Sequence, residues 1–143
     1  MKNIIIVFFA LLFSSFVSKA AFAQSISPLQ SEQVKDVISD QLKAFVEGDG
    51  QRAYSHATPG LQKIFPTIEG FMTMVERGYA PIYRSSTHDF GRSSIRGNQI
   101  YQELILTDQK GKTWQSIYVM EQQNDGSWKI GGVQMRRSSS SIL

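Results

Sequence analysis

The chain of 143 residues contains no cysteine. It therefore has no disulfide bond, no thiolate metal site and no cysteine nucleophile, and it cannot carry the lipid that exported lipoproteins receive on a cysteine. Histidine is also scarce, with two residues and no pair at the spacing of metal ligands. Glycine-rich phosphate loops, nucleophile-elbow motifs and zinc motifs are missing as well. We therefore predict neither a metal nor a cofactor.

A large excess of charge is also missing. The formal net charge is +3, from 15 Lys and Arg against 12 Asp and Glu, and two of the lysines (Lys2 and Lys19) lie in the amino-terminal segment. The other basic residues are scattered singly or in pairs, whereas nucleic-acid-binding proteins cluster them on one face. No nucleic-acid partner is therefore predicted.

Residues 1–23 have the pattern of a secretory signal peptide. Lys2 gives a positive start, residues 4–13 form a short apolar run, and the segment closes with the small-x-small sequence Ala-Phe-Ala. The apolar run is too short for a comfortable membrane span. We predict cleavage between Ala23 and Gln24, export to the periplasm or the medium, and no membrane anchor afterwards. An uncleaved amino-terminal anchor is the alternative.

The rest of the chain is long enough for one domain of ordinary size, which we place at residues 24–135. Its first half is helical: a long helix opened by Ser27 and Pro28, a short helix capped by Asp49, one separate helical turn, and a third helix capped by Thr67. The apolar positions predicted to face the core from these helices are Val34, Val37, Ile38, Leu42, Phe45, Val46, Ala53, Tyr54, Leu61, Ile64, Phe65, Ile68, Phe71, Met72 and Val75.

The second half has the alternating apolar pattern and the turn signals of strands. Gly97 and Asn98, residues 108–111 and residues 124–126 mark three short turns. These turns separate four strands that would form an antiparallel meander. Residues 136–143 are predicted to be a flexible polar tail.

The third strand is partly apolar on both faces, with Trp114, Tyr118 and Met120 on one and Ile117 and Val119 on the other. A sheet with one face in water would be polar on that face throughout. We therefore expect helices on the concave face and a second cover, such as the partner in a homodimer, on the other. Three amino-terminal helices packed on a curved four-stranded antiparallel meander make an α+β, cone-shaped fold, which leaves a cavity suited to a ligand.

Three stretches are distinctive when they are taken together: residues 58–62 (TPGLQ), 71–84 (FMTMVERGYAPIYR) and 118–130 (YVMEQQNDGSWKI). Their order and spacing resemble a bacterial family catalogued as domain of unknown function 4864, over nearly all of residues 27–135. The resemblance implies the cone-shaped fold of the nuclear-transport-factor-2-like (NTF2-like), or cystatin-like, superfamily. It implies no chemistry, because that superfamily includes ketosteroid isomerase, small dehydratases, polyketide cyclases and non-catalytic binding modules.

The corner between the third helix and the first strand is the strongest candidate for a binding site. Gly78 is predicted as a left-handed cap that ends the helix. Tyr79 and Tyr83 would supply aromatic area and directional hydroxyls, and Arg84 could hold a carboxylate. The alternative is that both rings only wedge the helix onto the sheet while Arg84 pairs with an acid. The further candidate ligand-binding residues, on the strands, are Tyr101, Trp114, Tyr118 and Glu121.

Candidates for catalysis are fewer. His88 and Asp89 are neighbours in a strand, so their side chains point to opposite faces. His56 has no evident partner, although a general base needs one. Glu103 and Glu121 could face inwards, and a carboxylate inside an apolar cone can act as a base, as an aspartate does in ketosteroid isomerase.

We therefore favour a non-catalytic, exported domain that binds a small apolar or amphipathic molecule, or a partner protein, between the third helix and the sheet. An isomerase or dehydratase that uses Glu103, Glu121 or Asp89 as its base is the first alternative. A module that dimerises through the outer face of the sheet is the second.

Overall fold

A computed structural model describes residues 24–139 of the chain. The helices are α1 (Pro28–Glu47), α2 (Gly50–Ser55), α3 (Pro59–Ile64), α4 (Ile68–Gly78) and α5 (Ala80–Tyr83). The strands are β1 (Ser85–Arg96), β2 (Gln99–Asp108), β3 (Thr113–Gln122) and β4 (Trp128–Arg137). The predicted signal peptide, with its cleavage site after Ala23, and the last four residues of the predicted tail lie outside the described residues.

Side-chain caps explain where the helices begin. The Ser27 hydroxyl accepts a hydrogen bond from the backbone N–H of Gln30, and the Gln30 side chain accepts one from the backbone N–H of Ser27. Asp49 and Thr67 accept the corresponding bonds at the starts of α2 and α4. Gly48, with φ of 71°, ends α1 in the left-handed conformation that glycine tolerates best. The predicted start of each of these helices is confirmed.

The four strands form one antiparallel sheet in the order β1-β2-β3-β4. The predicted meander and the α+β fold class are confirmed. The pairing register shifts between Phe90 and Ser93 in β1, and opposite Val119 and Met120 in β4, and such bulges bend a sheet.

The end of β4 corrects the predicted tail. The strand continues through Arg137, whose pairing partner in β3 is Trp114, and Arg136 pairs with Gln115. The Arg136 guanidinium also donates two hydrogen bonds to the Gln115 side chain, at 2.6 and 2.8 Å. Both arginines therefore belong to the sheet, because the ladder with β3 extends past residue 135.

The main core lies between α1 and the inner face of the sheet. Strand β2 alternates strictly, so every second residue from Ile100 to Leu106 is buried, Gln102 included. The buried apolar residues of α1 and the sheet are Val34, Ile38, Leu42, Ala44, Phe45, Ile100, Leu104, Leu106, Tyr118, Met120, Trp128 and Ile130. A second connection joins the helical half to β4: the backbone N–H of Ile130 donates to the carbonyl of His56, and the N–H of Thr58 donates to the carbonyl of Ile130.

The helical half differs from its predicted pattern at four positions. Val46 is 58% exposed, because it lies about 100° around the helix from Phe45, the last core residue of α1. Ile64 is 70% exposed, since the single turn of α3 packs inwards through Leu61. Ile68, at the first turn of α4, is also exposed. Gly78 is the last residue of α4 rather than a left-handed cap, and α5 follows at once.

The outer face of the sheet carries no helix within the described residues. Its middle is apolar, with half-buried Tyr101 paired to Val119, and Ile105 and Ile117 nearby on the same face. Among residues 24–139, no helix is long and apolar enough to cross a membrane.

Candidate functional site

The helices and the inner face of the sheet surround an apolar cavity of about 320 Å³. Cavities that hold small molecules begin at about this size. Its wall comes from α1, α3, α4, α5, β3 and β4, and the residues that line it are Gln41, Phe45, Leu61, Phe65, Phe71, Met74, Val75, Tyr79, Ile82, Tyr118, Ile130, Gly132 and Val133. The cavity therefore lies where the sequence predicts a pocket, because α4 is the third of the predicted helices.

Aromatic contacts hold the helical side of this cavity together. The Phe45 ring on α1 stacks against Phe71 on α4, with 6.1 Å between the ring centroids. Tyr54 on α2 meets the same Phe71 ring edge-on at 5.3 Å. The Tyr54 hydroxyl also donates a hydrogen bond of 2.6 Å to the carbonyl of Phe65, which attaches the end of α3 to α2. The helical side of the wall is therefore held by ring packing and by this hydrogen bond.

Two polar side chains of the wall already have partners in the protein. Gln41 is 3% exposed, and its amide nitrogen donates to the carbonyl of Ala53 at 3.0 Å. The Tyr79 hydroxyl donates to the carbonyl of Val133 at 3.3 Å, which connects the end of α4 to β4. These bonds fix the orientation of both side chains.

The third polar side chain, Tyr118, has a different environment. It is fully buried, and its hydroxyl has no hydrogen-bond partner within the described residues. Burial raises the pKa of the Tyr118 hydroxyl above its ordinary value of 10.0, because the phenolate would lose its hydration. The group therefore stays protonated at neutral pH and can act as a hydrogen-bond donor.

The wall carries no formal charge. None of the described residues that line the cavity is Asp, Glu, Lys, Arg or His. An ionised group placed there would lose its water and gain no counter-charge, which costs several kcal/mol even after relaxation. The cavity is therefore suited to uncharged molecules.

Of the predicted site residues, Tyr79 and Tyr118 lie on the cavity wall, while Tyr83 and Arg84 lie beside it. Tyr83 packs against the Phe45 ring, with 6.0 Å between centroids. Arg84 is 57% exposed in its side chain and forms an ion pair of 2.9 Å with Glu76. The alternative interpretation of Arg84, as the partner of an acid, is therefore the one that the structure supports.

The other three predicted residues are not brought to the cavity. Tyr101 and Glu121 lie on the outer face of the sheet, where both contact the side chain of Gln99. Trp114 lies at the turn between β2 and β3, and its indole N–H donates to Asp108 at 3.0 Å. For Glu121 the reason is the alternation of strand residues, since Tyr118 and Glu121 are three residues apart and their side chains leave opposite faces. Trp114 shares the face of Tyr118 but lies at the far end of the strand.

The predicted catalytic carboxylates are also on the outer face. Glu103 contacts Arg92 at 3.4 Å there, and the expectation that Glu103 and Glu121 face inwards is wrong. His88 is half-buried beside Ser39, at 3.3 Å, whereas the neighbouring Asp89 is exposed. The prediction that His88 and Asp89 point to opposite faces is confirmed.

Sequence reasoning missed a charged cluster on the surface between α1 and α2. The His56 ring nitrogen Nε2 lies 2.6 Å from a carboxylate oxygen of Asp40, so His56 does have a partner. The same carboxylate forms an ion pair with Arg52, which also contacts Glu47. The sequence signals this cluster only through the short turn at Gly48. That turn folds α2 back along α1 and so brings Asp40 close to His56, 16 positions later.

This cluster predicts acid sensitivity. Hydrogen bonds from Arg52 and His56 hold the pKa of Asp40 well below its ordinary value of 3.8. Because the pKa is lower in the folded protein than in the unfolded chain, the carboxylate stabilises the fold fully above about pH 5, and this contribution declines as the pH falls below about 4. We expect Asp40→Asn to lower the free energy of unfolding more at pH 7 than at pH 3, as measured by urea denaturation.

Asp36→Asn is the matched control, since Asp36 lies one turn earlier on α1 and is exposed. It should lower the free energy of unfolding by less than about 0.5 kcal/mol at both pH values. An equal loss at pH 7 and pH 3 for Asp40→Asn would contradict an ionised, hydrogen-bonded Asp40.

The described part of the chain brings no three His, Asp or Glu side chains together in a way that could hold a metal ion.

Comparisons with known proteins identify a family and a fold. The family model described as "Domain of unknown function (DUF4864)" matches residues 28–142. A search of curated proteins found no match. An NTF2-like protein of unknown function from Shewanella baltica OS155 is similar in structure, with a TM-score of 0.54, 12% identity, and coverage of 80% of this chain and all of the other. A cystatin-like-fold protein of unknown function from Nostoc punctiforme PCC 73102 gives a TM-score of 0.55, 13% identity, and coverage of 84% and 100%. At these identities the likeness concerns the fold alone.

Proposed function

Because the chain belongs to the family DUF4864, whose model assigns no activity, we propose a function from its own cavity: an exported, non-catalytic domain that binds a small apolar or amphipathic molecule. The observation that carries this proposal is the apolar, uncharged cavity of about 320 Å³ between α4 and the sheet. A concave, mostly apolar space with a few placed polar groups is the usual form of a small-molecule site.

The positions of the candidate carboxylates support binding rather than catalysis. A general base must be within hydrogen-bond reach of the proton that it removes. The carboxylates expected to act as a base, Asp89, Glu103 and Glu121, lie on β1, β2 and β3 with their side chains on the outer face. The isomerase or dehydratase alternative would therefore need a base other than these three.

Intact mass measurement is the first test of this proposal. The full chain is expressed with its amino-terminal segment, purified, and weighed under native and denaturing conditions. We expect the denatured mass of residues 24–143, since cleavage after Ala23 is part of the proposal, and an additional small mass that is present only under native conditions. A denatured mass that retains residues 1–23 would overturn the proposed cleavage and favour the uncleaved anchor.

The same spectrum tests the partner expected on the outer face of the sheet. A native dimer mass would support the interaction module, whereas a strict monomer would count against a homodimer. A native mass equal to the denatured mass, followed by no binding of any added apolar probe, would overturn the proposed ligand function.

A variant that partly fills the cavity should weaken binding. Met74 lines the cavity from α4, and a larger indole in its place would occupy part of the volume. We expect Met74→Trp to reduce the affinity for an apolar probe such as isopropylbenzene at least tenfold, as measured by calorimetric titration. Ile64→Trp is the control, because Ile64 is exposed on α3 and is not part of the cavity wall, and it should leave the affinity unchanged.

Circular dichroism and urea denaturation check that both variants fold. Wild-type affinity in a folded Met74→Trp protein would mean that the probe binds elsewhere, for example on the apolar outer face around Ile117.

A further inference from the structure

We propose that the cavity selects uncharged ligands that carry a hydrogen-bond acceptor, such as a carbonyl or hydroxyl oxygen, and that the Tyr118 hydroxyl donates a hydrogen bond to that oxygen. This inference rests on the proposed function, since it names the chemical class of the molecule that the cavity binds. It assigns Tyr118 as the residue that orients the ligand.

The first argument is the unpaired hydroxyl. Buried polar atoms of proteins nearly always have a hydrogen-bond partner, and an exception calls for an explanation. Within residues 24–139, three buried side-chain atoms lack one: Gln102 Oε1, Tyr118 Oη and Trp128 Nε1. Of these three residues, Tyr118 alone is part of the cavity wall. The Tyr118 hydroxyl has almost no accessible surface, so a molecule in the cavity reaches it only after neighbouring side chains of the wall shift. A suitable oxygen on that molecule would then supply the missing partner.

The second argument concerns the other polar groups of the wall. Tyr79 is the matching tyrosine on the helical side, and its hydroxyl proton is already used in the bond to the carbonyl of Val133. The amide nitrogen of Gln41 is held by the carbonyl of Ala53. Of the three polar side chains of the wall, Tyr118 is the one that makes no hydrogen bond within the described residues. A phenol that keeps its proton requires an acceptor, so the ligand must present a lone pair at this point.

The third argument is the absence of charge in the wall. A carboxylate is a good acceptor for a tyrosine, but here it would be buried with no Lys, Arg or His among the described lining residues. One neutral hydrogen bond does not offset the lost hydration of an ion. The acceptor is therefore expected to be neutral, as in a ketone, ester, amide or alcohol.

The volume limits the part of the ligand that lies inside the cavity. A cavity of about 320 Å³ holds about ten groups of the size of a water molecule, at about 30 Å³ each. A single ring with a short polar substituent fits this space, and any further part of a larger ligand would extend out of the cavity.

Three probes of nearly identical shape test the inference: acetophenone, isopropylbenzene and benzoate. Each is a phenyl ring with a substituent of three non-hydrogen atoms. The substituent is a neutral acceptor in acetophenone, a hydrocarbon in isopropylbenzene and a charged acceptor in benzoate. Their affinities are measured by calorimetric titration on the wild-type protein, Tyr118→Phe and Tyr101→Phe. The quantity compared is the preference, that is, the dissociation constant of isopropylbenzene divided by that of acetophenone.

We expect this preference to be about three- to tenfold larger in the wild-type protein than in Tyr118→Phe, which is the effect of one net hydrogen bond. Tyr101→Phe is the matched control, since it removes a paired hydroxyl from the outer face of the sheet, away from the cavity, and it should keep the wild-type preference. Benzoate should bind at least tenfold more weakly than acetophenone to the wild-type protein.

The outcomes separate this inference from the proposed function. If isopropylbenzene binds but the preference is the same in the wild-type protein and Tyr118→Phe, the role of Tyr118 is overturned and the apolar site remains. If benzoate binds as tightly as acetophenone, the selection for uncharged ligands is overturned. If no probe binds to the folded wild-type protein, the proposed function fails, and this inference fails with it.

Discussion

Replacing Ile38 with alanine is expected to lower the free energy of unfolding by about 2–5 kcal/mol. Ile38 is fully buried in the middle of α1, among the core residues that join this helix to the sheet. Removing its side chain loses apolar contacts and leaves a space that its well-packed neighbours can only partly fill. Urea denaturation followed by circular dichroism measures the change directly.

Val46→Ala is the matched control on the same helix. Val46 is apolar and fits the same sequence pattern, but it is 58% exposed, so its truncation should change the free energy of unfolding by less than about 0.5 kcal/mol. Similar losses for the two variants would mean that the face of α1 that packs on the sheet is not the one described.

The contrast between Ile38 and Val46 also indicates how much of the fold the sequence predicts. Helical spacing identified α1, its caps identified its ends, and the turn at Gly97 identified the first hairpin. Spacing alone cannot say how wide the buried stripe is, because that depends on what packs against it. Val46 and Ile64 therefore fit an amphipathic pattern and still face the solvent.

The candidate site was harder to predict, because a cavity is made by several elements together. The alternation of strand residues was sufficient to place Tyr118 and Glu121 on opposite faces, but it could not say which face the helices cover. The covered face follows from the packing of α1 and α5 against the sheet, which no local pattern records. Lining residues such as Val133 also depend on the bulge in β4, which shifts the register after Ile130.

The contact between Asp40 and His56 shows the same limit for the surface. Each residue alone is an ordinary polar residue in a helix. Their pairing depends on the angle at which α2 folds back along α1, and on the backbone bond between His56 and Ile130 that holds the end of α2 against β4. Pairs of this kind become visible only when the tertiary fold is known.

The second large effect has the opposite sign, because Tyr118→Phe is expected to stabilise the ligand-free protein. The hydroxyl of Tyr118 is buried without a partner in the described residues, and leaving such a group unsatisfied costs about 1–3 kcal/mol. Phenylalanine keeps the ring and removes that cost, so the free energy of unfolding should rise by about this amount. Chemical denaturation of the two ligand-free proteins under identical conditions measures it.

Tyr79→Phe gives the comparison that makes this result interpretable. Its hydroxyl bonds to the carbonyl of Val133, so its removal should lower the free energy of unfolding by about 0.5–1.5 kcal/mol. Two identical chemical changes in one cavity would then have opposite effects on stability. A hydroxyl that lowers the free energy of unfolding does not contribute to holding the fold together. Residues that lower stability in this way are typical of binding sites. A loss of stability in Tyr118→Phe would mean that the hydroxyl already has a partner, and it would remove the ground for assigning Tyr118 to a ligand.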